Sequence, residues 1–227
     1  SLVNKVIIAL DLSSDQSARK VVNQLGSEIQ FYKVGLQLLT AAGPSFIREL
    51  ILAGKKVFLD LKLFEVPNSV KNAVVAAGDL GVSMITVHAS GGMNIMEAAV
   101  RAAESYPGLK VLALTVVTSL TNQDLVDVGI QNSCEDQVLR LAKLASESGC
   151  HGLIASPAEL IPLRKFTSDM TIVTPGIRIS GENPSDNLRS DTPASAIRNG
   201  ASYIIVGRSV VGSHNPKAAI KKIWEIN

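Results

Sequence analysis

The sequence predicts an α/β fold, a single (β/α)8 TIM barrel in which eight parallel strands close on themselves inside a ring of helices. Short apolar runs alternate with amphipathic segments along the chain, and eight of those runs read as strands. The 227 residues are ordinary for one such barrel and long for one sandwich, so residues 1–227 read as one domain. Hydrophobic residues make up 46% but aromatics only 4%, so the core must be built from Val, Ile, Leu and Ala. Such side chains suit parallel strands buried on both faces.

The expected strands are residues 6–10, 31–34, 56–60, 84–88, 111–115, 152–155, 171–174 and 203–206. Each but the last is followed by a stretch that can be helical, which implies right-handed βαβ units. The first helix carries a capping-box pattern, Ser13 with Gln16, and then Ala18, Val21, Val22 and Leu25 fall on one face. Pro67 stands where a first helical turn begins, ahead of Val70, Ala73, Val74 and Ala77 on one face. Ser156 and Pro157 read as N-cap and first helical position. Gly54, Gly81, Gly149 and Gly200 close helices just before strands, as left-handed C-caps require. Two connections are long, residues 119–133 and 176–192, and both follow strand C-termini, where a barrel builds its active site. The second is rich in Gly, Ser, Asn, Asp and Pro and suits a lid over a ligand.

Composition excludes several function classes. A net charge of +2, with basic residues scattered and no aromatics among them, argues against a nucleic-acid or membrane surface. Cys134 and Cys150 have no metal-type spacing, and His88, His151 and His214 lie far apart, so neither a metal site nor a disulfide framework is expected. No apolar run is long enough to span a membrane and no signal-peptide pattern is seen, so the expected location is cytoplasmic.

The charged residues gather at strand ends. Asp11 ends the first strand, Lys33 the second, and Asp60 with Lys62 the third. Strand side chains alternate, so positions 60 and 62 are expected to point the same way. Charges are costly to bury unless paired, and an Asp–Lys–Asp–Lys set pairs itself while staying reactive. A structural ion-pair network at the barrel mouth accounts for the same residues equally well. A second cluster suits an anion. Thr174-Pro-Gly-Ile-Arg178 follows the seventh strand and Val206-Gly-Arg-Ser209 the eighth, where such barrels often hold phosphate. Gly176 and Gly207 allow close backbone approach, and Arg178 and Arg208 bring the charge.

At this point a resemblance becomes visible. The stretch 58–70, Phe-Leu-Asp-Leu-Lys-Leu-Phe-Glu-Val-Pro-Asn-Ser-Val, resembles the Asp-x-Lys-x-x-Asp signature of the orotidine 5′-monophosphate decarboxylase family. Ala9-Leu-Asp11, Tyr32-Lys-Val-Gly35, Val87-His-Ala-Ser-Gly91, Leu114-Thr-Val-Val-Thr-Ser119, Thr174-Pro-Gly-Ile-Arg178 and Ile205-Val-Gly-Arg208 resemble other pieces of that family in the same order.

The resemblance implies cofactor-independent decarboxylation of orotidine 5′-monophosphate to uridine 5′-monophosphate, in pyrimidine biosynthesis. It implies that Lys62 is the proton donor to C6 and Asp60 the carboxylate set against the substrate carboxylate. By the same likeness Lys33 ties the network to the ribose, which Asp11 contacts. Thr118 meets the pyrimidine edge, and Arg208 clamps the phosphate. It further implies a homodimer in which Glu65 and Ser69 reach the partner's site. The physics is coherent: an ammonium beside C6 stabilises the carbanion that departing carbon dioxide leaves. Two positions depart from the pattern. The signature's last Asp is Glu65, one methylene longer, and the lid has Asn187 where the family usually has Gln.

Two other readings fit parts of the sequence. A magnesium-dependent sugar-phosphate lyase of the same superfamily has an acid where this chain has Lys33, and a cation there would repel the metal. A nucleotide-binding barrel with weak or no catalysis would draw on Glu65 and Asn187. His88 at a strand end reads as a hydrogen-bonded structural histidine.

Overall fold

The computed structural model describes residues 2–179 and 191–225, the side chains of residues 224 and 225 excepted. Eight strands form a closed barrel in chain order. They are β1 (Val6–Ala9), β2 (Phe31–Gly35), β3 (Lys56–Leu63), β4 (Met84–His88), β5 (Lys110–Leu114), β6 (Gly152–Ile154), β7 (Thr171–Thr174) and β8 (Tyr203–Val206). All neighbours pair in parallel, and the barrel shuts where Ile7 of β1 pairs with Ile205 of β8. Seven strands match their expected bounds within one residue.

β3 is the exception. It runs on to Leu63, and its register against β4 shifts between Leu59 and Leu63. Leu59 pairs with Ile85 and Leu63 with Val87, so four steps on β3 match two on β4. Extra residues of this kind bend a strand and re-aim its side chains.

The helices around the barrel are α1 (Asp15–Leu25), α2 (Leu36–Ala42), α3 (Pro44–Leu52), α4 (Pro67–Leu80), α5 (Met93–Ala103), α6 (Asn122–Asp127), α7 (Cys134–Glu147), α8 (Leu160–Phe166), α9 (Pro193–Arg198), α10 (Arg208–Val211) and α11 (Pro216–Glu225). α1 buries Ala18, Val21, Val22 and Leu25, as its apolar spacing predicts. Its cap differs from expectation: the N-cap is Ser14, whose Oγ accepts from Ser17 N at 3.1 Å, and Ser13 with Gln16 forms no box. With Ser14 as the cap, Asp15 is the first helical residue, where the helix dipole favours an acid. α4 starts at Pro67, buries Val70, Val74 and Ala77, and ends on Gly81 in the left-handed region at φ 89°. The connection 119–133 is not a bare loop, because it contains α6. There Thr121 Oγ1 accepts from Asp124 N at 3.2 Å while Asp124 Oδ2 accepts from Thr121 N at 2.8 Å.

Two apolar layers result. Residues pointing outward from the strands, such as Ile8, Tyr32, Ile85 and Val111, pack under the helices. Inside the barrel lies a second cluster of Ile7, Ala9, Phe31, Phe58, Met84, Leu112, Leu114, Ile154, Val173 and Ile205. Fully burying each larger aliphatic side chain contributes about 1.5–3 kcal/mol. The inner plug fills the barrel from below and leaves its C-terminal mouth open, which is where the polar residues stand. Cys134 and Cys150 are buried free thiols, and burial pushes the Cys150 thiol up to about 12.

Candidate active site

Strand periodicity builds the site. On four adjacent strands an inward apolar residue is followed two positions later by a polar one: Ala9 by Asp11, Phe31 by Lys33, Phe58 by Asp60, and Met84 by Thr86. The same alternation that fills the barrel thus lines its mouth with charge. A cavity of about 640 Å³ opens there. Its wall includes Asp11, Lys33, Asp60, Lys62, Thr118, Arg178, Gly207 and Arg208, so eight of the eleven expected site residues meet in one place. The volume suits a small-molecule ligand.

The charges form a chain. Lys62 Nζ donates to Asp60 Oδ2 at 2.8 Å. Lys33 Nζ reaches the same oxygen at 3.4 Å and Asp11 Oδ1 at 3.6 Å. The other Asp60 oxygen, Oδ1, accepts from Thr86 Oγ1 at 2.7 Å. Asp60 is 8% exposed. Burial alone would raise its carboxyl, but the charges of Lys33 and Lys62, with hydrogen bonds from Lys62 and Thr86, outweigh that and hold it below the ordinary 3.8.

Positions 60 and 62 converge, but simple strand alternation is not the cause. β3 is irregular between them, and Lys62 sits at φ 49°. Among the described residues no other non-glycine has a positive φ. A lysine in that region costs about 1–3 kcal/mol, and such strain persists only where the surrounding structure over-determines it, as happens most often at active sites. The Lys62 amide is anchored by donating to Thr86 Oγ1 at 2.9 Å.

On the far side of the rim, the turn after β7 needs Gly176, whose φ is 74°. Arg178 N donates to Asp191 O at 3.0 Å, joining the two described ends of the 176–192 connection. Gly207 caps α10, and a Cβ there would touch only Ala9 Cβ at 3.7 Å before projecting into the cavity. Gly207 thus leaves open space on the cavity wall. Going round the barrel, β7, β8, β1, β2 and β3 are consecutive. The rim passes in that order from two arginines through Asp11 and Lys33 to Asp60 and Lys62.

A family model described as the orotidine 5′-phosphate decarboxylase / HUMPS family matches residues 4–223. The chain belongs to that family. It is 40% identical over 220 residues to the orotidine 5′-phosphate decarboxylase of Opitutus terrae, covering 96% of each chain. It is 43% identical over 220 residues to the enzyme of that name from Nitrobacter winogradskyi, covering 96% of this chain and 90% of the other. It is also similar to the crystal structure of orotidine 5′-phosphate decarboxylase from Lactobacillus acidophilus, with a TM-score of 0.86, 36% identity and 98% of each chain covered.

Two residues expected from the likeness to orotidine 5′-phosphate decarboxylases do not line this cavity. Glu65 and Ser69 are exposed beyond the end of β3, and Glu65 Oε1 accepts from Val66 N at 2.8 Å. Asn187 lies outside the described residues. His88 is half-buried, and its Nδ1 accepts from Ser90 N at 3.2 Å. Burial and then the nearby Lys62 charge lower its pKa, which favours the neutral ring. That geometry fits the structural histidine expected there. The sequence reading missed Thr86, a buried residue between two apolar ones on β4. The signal was available, since Thr86 stands two positions after inward Met84, just as Asp60 follows Phe58.

Proposed function

We infer that this chain, as one barrel domain, decarboxylates orotidine 5′-monophosphate to uridine 5′-monophosphate, in pyrimidine biosynthesis and without a cofactor. The observation that carries this reading is the Lys62 ammonium, 2.8 Å from Asp60 Oδ2, facing a cavity whose opposite rim carries Arg178 and Arg208. In the reaction the bond from C6 to the carboxylate carbon breaks and carbon dioxide leaves with its oxygens. The electron pair stays on C6, and Lys62 Nζ gives a proton there. The ammonium, held in place beforehand by Asp60, stabilises the carbanion by charge attraction. Asp60 sits against the substrate carboxylate, a form of ground-state destabilisation. Arg178, Arg208 and Gly207 hold the phosphate, Asp11 and Lys33 the ribose, and Thr118 the pyrimidine edge. The strand order from β7 round to β3 then matches phosphate, ribose and reacting carbon in sequence. Asn187 contributes from the 176–192 connection.

The reading includes a cytoplasmic homodimer in which Glu65 and Ser69 reach the partner's site. Its support is the surface beside them: Phe64 is 62% exposed and Val66 59% exposed, next to the mouth of the barrel. Apolar side chains clustered at a polar rim mark an association surface. Among the described residues no helix is long and apolar enough to cross a membrane.

The magnesium-dependent alternative is disfavoured by Lys33. Its ammonium stands 3.4 Å from Asp60 and 3.6 Å from Asp11, among the carboxylates a divalent cation would need. The test follows the ultraviolet absorbance of orotidine phosphate with the purified chain, with and without excess chelator. Turnover indifferent to chelator is expected. Turnover abolished by chelator would favour the metal-dependent lyase, and tight uridine phosphate binding without turnover would identify a silent nucleotide-binding barrel.

A further inference from the structure

We propose that Thr86 is a positioning residue for decarboxylation, which holds the Asp60 carboxylate and the Lys62 backbone in one arrangement through a single hydroxyl. The proposal rests on the function inferred above. Thr86 is fully buried on β4, points inward, and touches the Asp60 carboxylate and the Lys62 backbone amide from the neighbouring strand. Its hydrogen-bond assignment is forced. The Lys62 N–H can only donate, so Thr86 Oγ1 accepts it at 2.9 Å. A hydroxyl has one proton, and an ionised carboxylate can only accept, so that proton goes to Asp60 Oδ1 at 2.7 Å.

Two consequences follow. Occupying Oδ1 leaves Oδ2 as the oxygen that faces both Lys62 and Lys33. The carboxylate is thereby fixed in rotation, and a charge that could swing between partners is held toward the ammonium. The second contact falls where β3 leaves its regular path. Between Leu59 and Leu63 the regular pairing to β4 is interrupted, and Lys62 adopts φ 49°. Its amide would otherwise lack a ladder partner, and the Thr86 hydroxyl replaces the missing strand carbonyl as acceptor. Thr86 therefore holds the strained residue at its backbone and that residue's acid at its side chain. A β-branched side chain is well suited, because its first torsion is stiff.

The test compares Thr86→Val, which keeps the shape and loses the hydroxyl, with Thr86→Ser, which keeps the hydroxyl. Misplacing a reacting group by about 1 Å can cost on the order of a hundredfold, so Thr86→Val is expected to lower kcat by about that factor. Uridine phosphate affinity is expected to change by less than about threefold, because the phosphate and ribose contacts lie on other strands. Thr86→Ser is expected to recover most of the loss, to within about tenfold of the parent. Should valine prevent folding, Thr86→Cys keeps the volume with a thiol that bonds weakly, and a drop of at least about tenfold in kcat is expected. Crystal structures of the variants provide a readout independent of turnover: Lys62 Nζ is expected to leave its 2.8 Å contact with Asp60 in the valine variant and keep it in the serine variant. An unchanged site in the valine variant, a kcat near the parent's, or equal loss of kcat and nucleotide affinity would overturn the proposal. No turnover by the parent, with the site rearranged in the valine variant, would sink only the decarboxylase reading.

Discussion

Lys62 Nζ lies 2.8 Å from Asp60 Oδ2 although the strand that carries both residues is irregular between them and Lys62 holds φ 49°. The pair is asymmetric. Asp60 is enclosed, with its side chain 9% exposed, while the Lys62 side chain is 38% exposed and faces the cavity. A carboxylate fixed in the wall and a cation fixed toward the ligand space are what an electrostatic catalyst needs, since neither has to reorganise during the reaction.

Replacing Lys62 with alanine removes both the proton and the charge. The expected loss in kcat is at least about a thousandfold, or about 4 kcal/mol of transition-state stabilisation. Single-turnover absorbance measurements with orotidine phosphate check this, and a rate equal to the parent's would take Lys62 out of the mechanism.

Asp60→Asn leaves Lys33 and Lys62 facing each other without their shared acid. At neutral pH the variant is expected to lose about 1–3 kcal/mol of stability relative to the parent. The sign with pH follows from the depressed carboxyl. Its contribution is present above the ordinary value of 3.8 and is lost as pH falls through the lower folded value. Urea unfolding at pH 7 and at pH 3 should therefore show the gap narrowing in acid. A gap that widens would contradict the assignment.

His88 titrates in the opposite chemical sense but with the same consequence. Burial and the Lys62 charge lower its folded value below 6.5, so the unfolded chain takes up a proton first as pH drops. Stability from this residue is complete above 6.5 and declines below it, with a slope of at most about 1.4 kcal/mol per pH unit. In the His88→Gln variant the decline between pH 6.5 and 5 should flatten, as read from melting temperatures across that range.

Glu65→Asp restores the length that the family signature has at this position. Activity is expected to hold or rise, because in the proposed dimer the shorter acid need not retract to reach the partner's site. Steady-state kcat/KM on orotidine phosphate measures it. A fall of about tenfold or more would mean that the longer acid is itself adapted to this barrel.

Gly152→Ala tests the inner packing away from the chemistry. A Cβ at Gly152 would strike the Thr171 carbonyl oxygen and come within 2.6 Å of Leu112 Cδ2. A backbone oxygen in a strand cannot give way cheaply, so a loss of about 1–3 kcal/mol is expected. That corresponds to a melting temperature lower by roughly 2–12 °C, measurable by calorimetry.

Much of this protein is local in origin and so was readable along the chain. Strand positions follow from apolar runs of strand length, and α1 and α4 show the face that they bury in their own spacing. The closed order of strands follows from chain alternation, because βαβ units have one hand. The gathering of Asp11, Lys33 and Asp60 at one mouth is also a local fact, since each stands two residues beyond an inward apolar residue. Ser13 and Ser14 are competing polar caps one residue apart, a difference that costs little energy, whereas α6 inside residues 119–133 is six residues long with one buried side chain, too short to show a helical period along the chain.

What only the tertiary structure decided concerns β3 and its neighbour. Periodicity places Asp60 and Lys62 on one face of a straight strand, yet β3 is not straight there. The pair meets because β4 supplies Thr86, whose hydroxyl stands in for a missing ladder partner and orients the acid. The contact joins residues 26 apart in sequence, so no local pattern along β3 encodes it. Sequence alone determines which residues arrive at the barrel mouth, because side-chain alternation along a strand is a property of the backbone. Their relative orientation is set between strands, where an extra stretch in one must be accommodated by a hydrogen-bonding side chain from the next.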